Sequence, residues 1–504
     1  MSDRVFACAA CALLLSALLL RFIELEARPM HGDEAVHAAK FAGLLEKGQY
    51  RYDPYEYHGP TLNYLTLIPA WLAGAKNYAA LDENILRSVP ALLGVGVVAL
   101  LLFMPGLPRP VAVASAALAA LSPFLTLYSR YYIQETLLVF FALLLLWAMA
   151  RLAQRPGTAA ALVAGIAAGC MAATKETFVL LVLAGALAWL ITAPGRMSKG
   201  QLAILLVSAA SVAALFFSSF LSHPHGIIDA VLAVTTYSSR AVDSVHLQPF
   251  SYYFTLLFQP KPAGPVLLTE GAVALAALAG VWQAWRTAAA WPRFWALFAL
   301  LLAVIFSIIP YKTPWNALSF YTAALVPAGY GLVWLLQQMH RRWLKIMLLA
   351  IVFLPLIAQN AAVNFSAQLR SHNPYLYAHP GEDVVRMAAA VNRAANSSPT
   401  GDSLYVQVIA SGADYWPLPW YLRRYQRVGW WSQVDSSTAP APVILISADL
   451  REALAQRLYE QPPPGERPLY LDLFSGPLLL RPGREMYGYV RSDLWQAMQQ
   501  EKAR

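Results

Sequence analysis

The most informative part of the sequence is residues 1–37, MSDRVFACAACALLLSALLLRFIELEARPMHGDEAVH. This stretch joins an apolar segment of helix length to an acidic, histidine-containing motif. Residues 5–20 carry no charge, whereas HGDEAVH (31–37) places two adjacent carboxylates and two histidines shortly after them. Charged side chains are costly to place near a bilayer, so they favour a functional role at this position.

The composition of the whole chain indicates a membrane protein. Of its 504 residues, 58% are hydrophobic and only 13% are charged, and the mean hydropathy is +0.48. These values exclude an ordinary soluble protein of this length and predict an α-helical polytopic membrane protein. The net charge of +9 then indicates basic loops facing an anionic leaflet, and we expect no nucleic-acid partner.

Apolar segments of spanning length recur along the first 360 residues and predict about eleven transmembrane helices. The first could be a signal peptide, but no small-x-small cleavage site follows it, which favours an uncleaved helix. The segments lie near 5–23, 84–104, 111–127, 134–151, 158–173, 176–192, 201–222, 265–285, 294–310, 316–338 and 344–360.

The distribution of basic residues predicts the orientation of these helices. If the N-terminus is cytoplasmic, the links near 105–110, 151–157, 193–200, 285–293 and 337–345 are all cytoplasmic, and they carry many Arg and Lys with almost no acid. This is the positive-inside bias of membrane proteins. It places the motif at 31–37 on the extracytoplasmic side of the inner (plasma) membrane.

Two segments outside the predicted spans complete the domain organisation. Residues 61–78 are apolar but interrupted by Asn63, Pro69 and Gly74, which favours a helix lying on the membrane surface. After residue 360 the long apolar runs stop, and strand-like and helix-like segments alternate. We therefore predict a transmembrane domain over 1–360, with its first outer loop at about 24–83, and a small extracytoplasmic α/β domain over 361–504.

Asp33 and Glu34 are the predicted catalytic residues. A carboxylate at the membrane boundary can accept a proton from an acceptor hydroxyl or amine during displacement at a sugar anomeric carbon. The structural alternative is that one of these acids stabilises the first turn of the next helix, which the composition of 35–45 favours. Both roles are compatible with the sequence.

Histidines and a further acid raise the alternative of a divalent-cation site. Asp33 and His37 share a helix face at the i, i+4 spacing. Together with His31, His58 and Glu135 they could ligate a metal. The spacing alone does not specify a metal. These histidines could equally bind substrate hydroxyls or phosphate, as we expect for His58.

Three cations in predicted outer links could bind the phosphate of a lipid-linked donor. Arg130, Lys175 and Lys312 would stabilise the negative charge that develops on a departing phosphate. The alternative for each is snorkelling to the interface or a structural ion pair. Tyr57, in an aromatic run, could stack on a sugar or belong to an interfacial aromatic belt.

These motifs resemble the GT-C superfamily of polyprenyl-phosphate-sugar-dependent glycosyltransferases, which includes protein O-mannosyltransferases and lipid A aminoarabinose transferases. The acidic pair of the first outer loop is matched by Asp33-Glu34, and the aromatic and Arg-containing second outer loop by 128–135. More closely, several strings resemble the flippase-activity-associated membrane proteins. They are HGDEA (31–35), HGP (58–60), TKET (174–177), PYKTPW (310–315) and WPLPWYLR (416–423).

The resemblance implies inverting transfer of one sugar from a polyprenyl-phosphate donor to an unidentified glycan, lipid or protein acceptor. Gln134 stands where many relatives carry an acid, which weakens the case for a two-acid metal site. The rival is a non-enzymatic flippase component or transporter for lipid-linked glycans, and a weaker third possibility is a protein-binding scaffold. No internal repeat of the kind found in many transporters is apparent.

Overall fold

The computed structural model describes residues 1–55, 58–240, 246–263, 266–287, 289–366, 373–435, 437–463, 465 and 467–502. The first part of the chain is almost entirely helical. Its sixteen helices are α1 (Asp3–Phe22), α2 (Gly32–Lys47), α3 (Thr61–Leu72), α4 (Glu83–Leu102), α5 (Arg109–Leu121), α6 (Pro123–Ser129), α7 (Glu135–Gln154), α8 (Thr158–Ala172), α9 (Phe178–Thr192), α10 (Lys199–Phe217), α11 (Gly226–Arg240), α12 (Tyr252–Leu257), α13 (Gly271–Thr287), α14 (Ala290–Ile308), α15 (Leu318–Gln338) and α16 (Arg342–Phe365).

Each of the eleven predicted apolar segments coincides with a helix or, at 111–127, with the pair α5 and α6. Fewer of them satisfy a strict length requirement. Within the described residues, seven helices are long and apolar enough to cross a membrane, or eight if the bent pair counts as one span. Two more, α8 and α9, are apolar but only 15 residues long. The polytopic helical fold is confirmed, whereas the number of clear spans is lower than predicted.

The predicted span at 111–127 is broken. Helices α5 and α6 meet at an angle of 63°, because Pro123 has no backbone N–H and disfavours helical geometry at the preceding Ser122. The Ser122 hydroxyl caps α6 by accepting from Leu125 N at 3.2 Å. The Asn360 side chain donates to the carbonyls of Leu121 and Ser122 at 3.1 and 3.3 Å, so both carbonyls at the break have a hydrogen-bond partner.

Small residues allow α13 and α15 to approach each other at backbone distance. A β-carbon added at Gly280 would lie 1.8 Å from the carbonyl oxygen of Pro327, and one at Gly331 would lie 1.9 Å from that of Ala276. Neither contact is possible for a larger residue. Such small-residue interfaces are typical of helix packing in membranes, where burial of apolar surface supplies little driving force.

The C-terminal part is an α/β domain, as predicted. The strands β3 (Val406–Ile409) and β5 (Val443–Ser447) are almost entirely buried and apolar, as expected of central strands. The six-stranded sheet has the order β4 (Val428–Trp431), β3, β5, β8 (Arg484–Arg491), β6 (Tyr470–Asp472), with β7 (Leu478–Arg481) also paired to β8; a separate hairpin joins β1 (Lys261–Ala263) to β2 (Val266–Leu268). The helices of this part are α17 (Asp383–Asn396), α18 (Leu418–Tyr421), α19 (Arg451–Ala455) and α20 (Ser492–Lys502).

The chain divides into two compact units whose boundary differs from the predicted one. The membrane unit comprises Met1–Leu25, Lys47–Ala73 and Asn84–Tyr377, and the second unit comprises Glu26–Glu46, Gly74–Glu83 and Ala378–Arg504. Two segments of the predicted first outer loop, including the acidic motif, therefore fold with the C-terminal domain. The sequence boundary at 360 followed hydropathy, which does not record this long-range packing.

Candidate functional site

The two adjacent acids at the start of α2 have different environments. The Glu34 side chain is fully buried and accepts two hydrogen bonds from the Arg28 guanidinium, at 2.9 and 3.0 Å. It also accepts from the backbone N–H of His31 at 2.9 Å, which is the position of a first-turn helix-capping acid. The structure therefore favours for Glu34 the structural alternative that the sequence left open.

Asp33 is held by its backbone and exposed at its side chain. Its N–H donates to Nδ1 of His31 at 3.1 Å, and half of its side-chain surface is accessible. Because His31 Nδ1 accepts this hydrogen bond, the 3.9 Å contact between that nitrogen and the Asp33 carboxylate is not a hydrogen bond. Asp33 is thus the acid of the pair whose carboxylate can meet a substrate.

The motif WPLPWYLR (416–423) holds the two loop segments of this unit in place. The Tyr421 hydroxyl accepts from Met30 N at 2.9 Å, just before the acidic motif. The Trp420 indole donates to Glu83 at 2.8 Å, and Arg423 donates to the carbonyl of Leu81 at 2.7 Å. A motif far along the chain therefore fixes the backbone that presents Asp33.

The predicted metal site is not supported by the geometry. His31 stacks on the ring of His379, with centroids 5.8 Å apart, and Glu135 pairs with Lys175. Within the part of the chain that the structure describes, no group of three or more His, Cys, Asp or Glu side chains is arranged to hold a metal ion. His37 is buried on α2 and belongs to no such group.

The membrane unit contains a second cluster of polar residues, centred on Lys175. This side chain is buried, forms an ion pair with Glu135, and donates to Oδ1 of Asn316 at 3.3 Å. Glu135 is the first residue of α7, where the helix dipole also favours a carboxylate. The sequence predicted Lys175 as a phosphate ligand; the structure shows that its charge is balanced by Glu135.

The neighbouring Glu176 forms a hydrogen-bonded group with two residues of the first loop. It binds His58 Nδ1 at 2.8 Å and the Tyr52 hydroxyl at 3.0 Å. Burial opposes ionisation, but the charge and hydrogen bond of His58 outweigh it, so the pKa of Glu176 lies below its usual range. His58 is therefore engaged with a carboxylate. Tyr57, for which the sequence predicted stacking on a sugar, lies outside the described residues.

Gly59 allows this loop to approach the turn that carries Lys175. A β-carbon at Gly59 would lie 2.2 Å from the backbone oxygen of Ala173, and Thr61 binds the same oxygen through its N–H at 3.1 Å. We expect Gly59→Ala to destabilise the protein by about 1–3 kcal/mol, since the backbone must shift to relieve the overlap. Thermal unfolding in detergent measures this effect.

Gly43→Ala is the matched control for Gly59→Ala. Gly43 lies inside α2, and no atom lies within 4 Å of its added β-carbon. Alanine is the better helix former by about 0.5–1 kcal/mol, so this variant should be neutral or more stable. Equal stability losses in the two variants would contradict the close approach at Gly59.

The other two predicted cations bind backbone carbonyls. Arg130 donates to Leu20, Ile23 and Glu24 at 3.0, 2.6 and 2.8 Å, and so closes the C-terminal end of α1. Lys312 donates to the carbonyls of Gln248 and Ile309 at 3.0 and 2.6 Å. These backbone contacts are neither the snorkelling nor the ion pair offered as the alternative, and a phosphate contact for either residue stays a prediction.

Sequence reasoning did not identify Arg28, Tyr52 or Asn316 as members of these clusters, and it did not identify Glu270 as a buried acid. Glu270 is fully buried directly before α13 and accepts from the hydroxyls of Ser122 at 2.9 Å and Tyr321 at 2.6 Å. Its only sequence signal was a lone acid at the start of an apolar run. Asn316 follows the quoted string PYKTPW directly, and an amide there gave no signal of its own.

Comparisons with known proteins agree with this architecture. Residues 106–223 match the family model of dolichyl-phosphate-mannose-protein mannosyltransferases. No curated protein sequence matches significantly. The fold is similar to that of ArnT from Cupriavidus metallidurans in the apo state, with a TM-score of 0.64 and 16% identity over 95% of this chain and 97% of that one.

Two further structures, both with bound polyprenyl phosphates, have similar folds. ArnT bound to undecaprenyl phosphate gives a TM-score of 0.63, at 16% identity over 95% of this chain and 97% of that one. The archaeal oligosaccharyltransferase AglB from Archaeoglobus fulgidus, in complex with an inhibitory peptide and a dolichol-phosphate, gives 0.59, at 12% identity over 88% and 70%. The GT-C-like fold predicted from the motifs is confirmed: the chain is a multi-pass membrane protein with the fold of the GT-C glycosyltransferases.

Proposed function

We propose that this protein is an inverting glycosyltransferase that moves a sugar from a polyprenyl-phosphate donor to an acceptor on the outer face of the inner membrane. The observation that carries the proposal is the contrast between the half-exposed Asp33 and the buried Arg28–Glu34 pair beside it. A general base must be accessible to substrate and fixed in position. Here Glu34 and Tyr421 fix the backbone and leave the Asp33 carboxylate available.

The donor class is supported by what the structural relatives bind. ArnT was solved with undecaprenyl phosphate and AglB with a dolichol-phosphate, and both ligands are polyprenyl phosphates. A donor of this class partitions into the bilayer, where a multi-pass chain can receive it. We assign its phosphate to Lys175, whose buried ammonium is held by a carboxylate that an incoming phosphate can replace.

The proposed reaction is a single displacement. The acceptor hydroxyl or amine attacks the anomeric carbon while Asp33 takes its proton, and the bond from that carbon to the phosphate oxygen breaks. The polyprenyl phosphate leaves with the electron pair, and Lys175 stabilises its charge. Attack opposite to the leaving group inverts the anomeric configuration.

The charge distribution of the loops supports a cytoplasmic N-terminus and an extracytoplasmic C-terminal domain. In this orientation the unit formed by 26–46, 74–83 and 378–504 combines the proposed base with the C-terminal sheet. We propose that this unit selects the acceptor. Arg130 and Lys312 bind backbone carbonyls, and His58 orients Glu176 beside Lys175.

The test is turnover by the purified full chain. Undecaprenyl-phosphate-linked hexoses are supplied in proteoliposomes with a crude acceptor extract, and released undecaprenyl phosphate is quantified by mass spectrometry. Protein-dependent release with an inverted anomeric centre in the product, read by NMR, supports the proposal. Lipid translocation without cleavage of the sugar–phosphate bond would overturn it in favour of a flippase component.

A further inference from the structure

Trp416, the first residue of the WPLPWYLR motif, has a different environment from the residues that hold the loop segments. Trp420, Tyr421 and Arg423 each form a hydrogen bond to a loop segment. Trp416 instead is partly exposed and lies beside Gly32, where an added β-carbon would be 3.8 Å from that of Trp416. This tryptophan therefore borders the residue directly before Asp33.

Trp416 begins a row of three aromatic rings. The Tyr415 ring lies 6.3 Å from that of Trp416, with an interplanar angle of 41°, and 4.9 Å from that of Trp430, with an angle of 42°. Tyr415 and Trp430 pack against the core of the C-terminal domain, yet all three side chains keep part of their surface accessible. Trp430 belongs to β4, an edge strand of the sheet.

Charged groups accompany this row. Asp414, directly before Tyr415, pairs with Arg481 and, at 2.9 Å, with Arg484. Half of the Arg484 side chain is exposed, so its remaining N–H groups can reach a ligand. The surface thus combines aromatic faces with charged hydrogen-bonding groups. A hydrocarbon chain would gain nothing from the charged groups, whereas a sugar can use both.

We propose that Trp416, Tyr415 and Trp430 form a binding platform for a glycan acceptor that extends away from Asp33. The apolar C–H face of a pyranose packs on an aromatic ring, and its hydroxyl groups bind charged partners such as Arg484. A row of three rings fits several consecutive sugars. The inference rests on the proposed function only in taking Asp33 as the base and the glycan as acceptor.

The first test measures binding and does not require turnover. Maltohexaose and mannohexaose serve as neutral probes, and saturation-transfer NMR detects their contact with the full-length Asp33→Asn protein in detergent. We expect Trp416→Ala to weaken binding of at least one probe by about 2- to 10-fold and Trp416→Phe to weaken it less. Trp495→Ala is the control, because Trp495 is a partly buried tryptophan packed on the same core.

Failure to bind either hexasaccharide, or an equal loss of binding in the Trp416 and Trp495 variants, would overturn the platform.

The second test measures turnover with the otherwise native chain. Trp416→Ala should raise the acceptor KM, leave kcat within about 2-fold, and leave undecaprenyl phosphate binding unchanged. If oligosaccharide binding depends on Trp416 but no transfer occurs in any form, the platform stands and the proposed function fails. If transfer occurs and Trp416→Ala has a native acceptor KM, the platform fails alone.

Discussion

Asp33→Asn should abolish sugar transfer without unfolding the protein. The substitution keeps the shape and the backbone N–H bond to His31 but removes the proton acceptor. Loss of a general base typically costs about 10²- to 10⁴-fold in rate. The measurement is release of undecaprenyl phosphate from the sugar donor under single-turnover conditions, beside thermal unfolding of the same preparation.

Glu34→Gln is the control that separates the two acids. Glu34 accepts both Arg28 hydrogen bonds in a buried setting, so removing its charge leaves the Arg28 cation poorly compensated. Breaking a buried ion pair costs about 3–5 kcal/mol, and we expect a clear drop in unfolding temperature. Native activity in Asp33→Asn, or a larger catalytic loss in a stably folded Glu34→Gln, would contradict the assignment of Asp33 as base.

The helical part of the fold could be predicted because it depends on local composition. The predicted segment 134–151 is apolar from 137 to 150, and α7 follows it closely. The buried strands β3 and β5 are short apolar runs, which a sequence pattern reveals, whereas β4, β7 and β8 are only partly buried and give a weaker signal. The break at Ser122–Pro123 had a local signal in the proline, but hydropathy alone favoured one continuous span.

Individual residues of the candidate site could be predicted from the sequence, but the contacts between them could not. The position of Asp33 after an apolar segment was sufficient to nominate it, and the composition of 35–45 indicated that one of the two acids could stabilise the first turn of a helix. The contacts that distinguish the two acids come from elsewhere. Tyr421 lies almost four hundred residues beyond Met30 in the chain, and Glu135 is forty residues from Lys175. One sequence gives no information about such pairs.

The Lys175–Glu135 pair gives the second large expected effect. Lys175→Met should destabilise the protein by about 3–5 kcal/mol, because it leaves the buried Glu135 carboxylate without its cation. The double variant Lys175→Met, Glu135→Gln removes both charges and should recover most of that stability. Chemical unfolding in mixed micelles measures the four members of this cycle.

Undecaprenyl phosphate binding is then measured for the native protein, the two single variants and the double variant. The four affinities distinguish a structural Lys175–Glu135 ion pair from a phosphate-binding site. If Lys175 binds the phosphate, Glu135→Gln should bind the lipid more tightly than the native protein, since the competing carboxylate is neutral. The stable double variant should still bind weakly, because it lacks the cation. Native mass spectrometry measures both affinities. If the double variant regains lipid binding together with stability, Lys175 holds the helices together, and the donor phosphate is bound elsewhere.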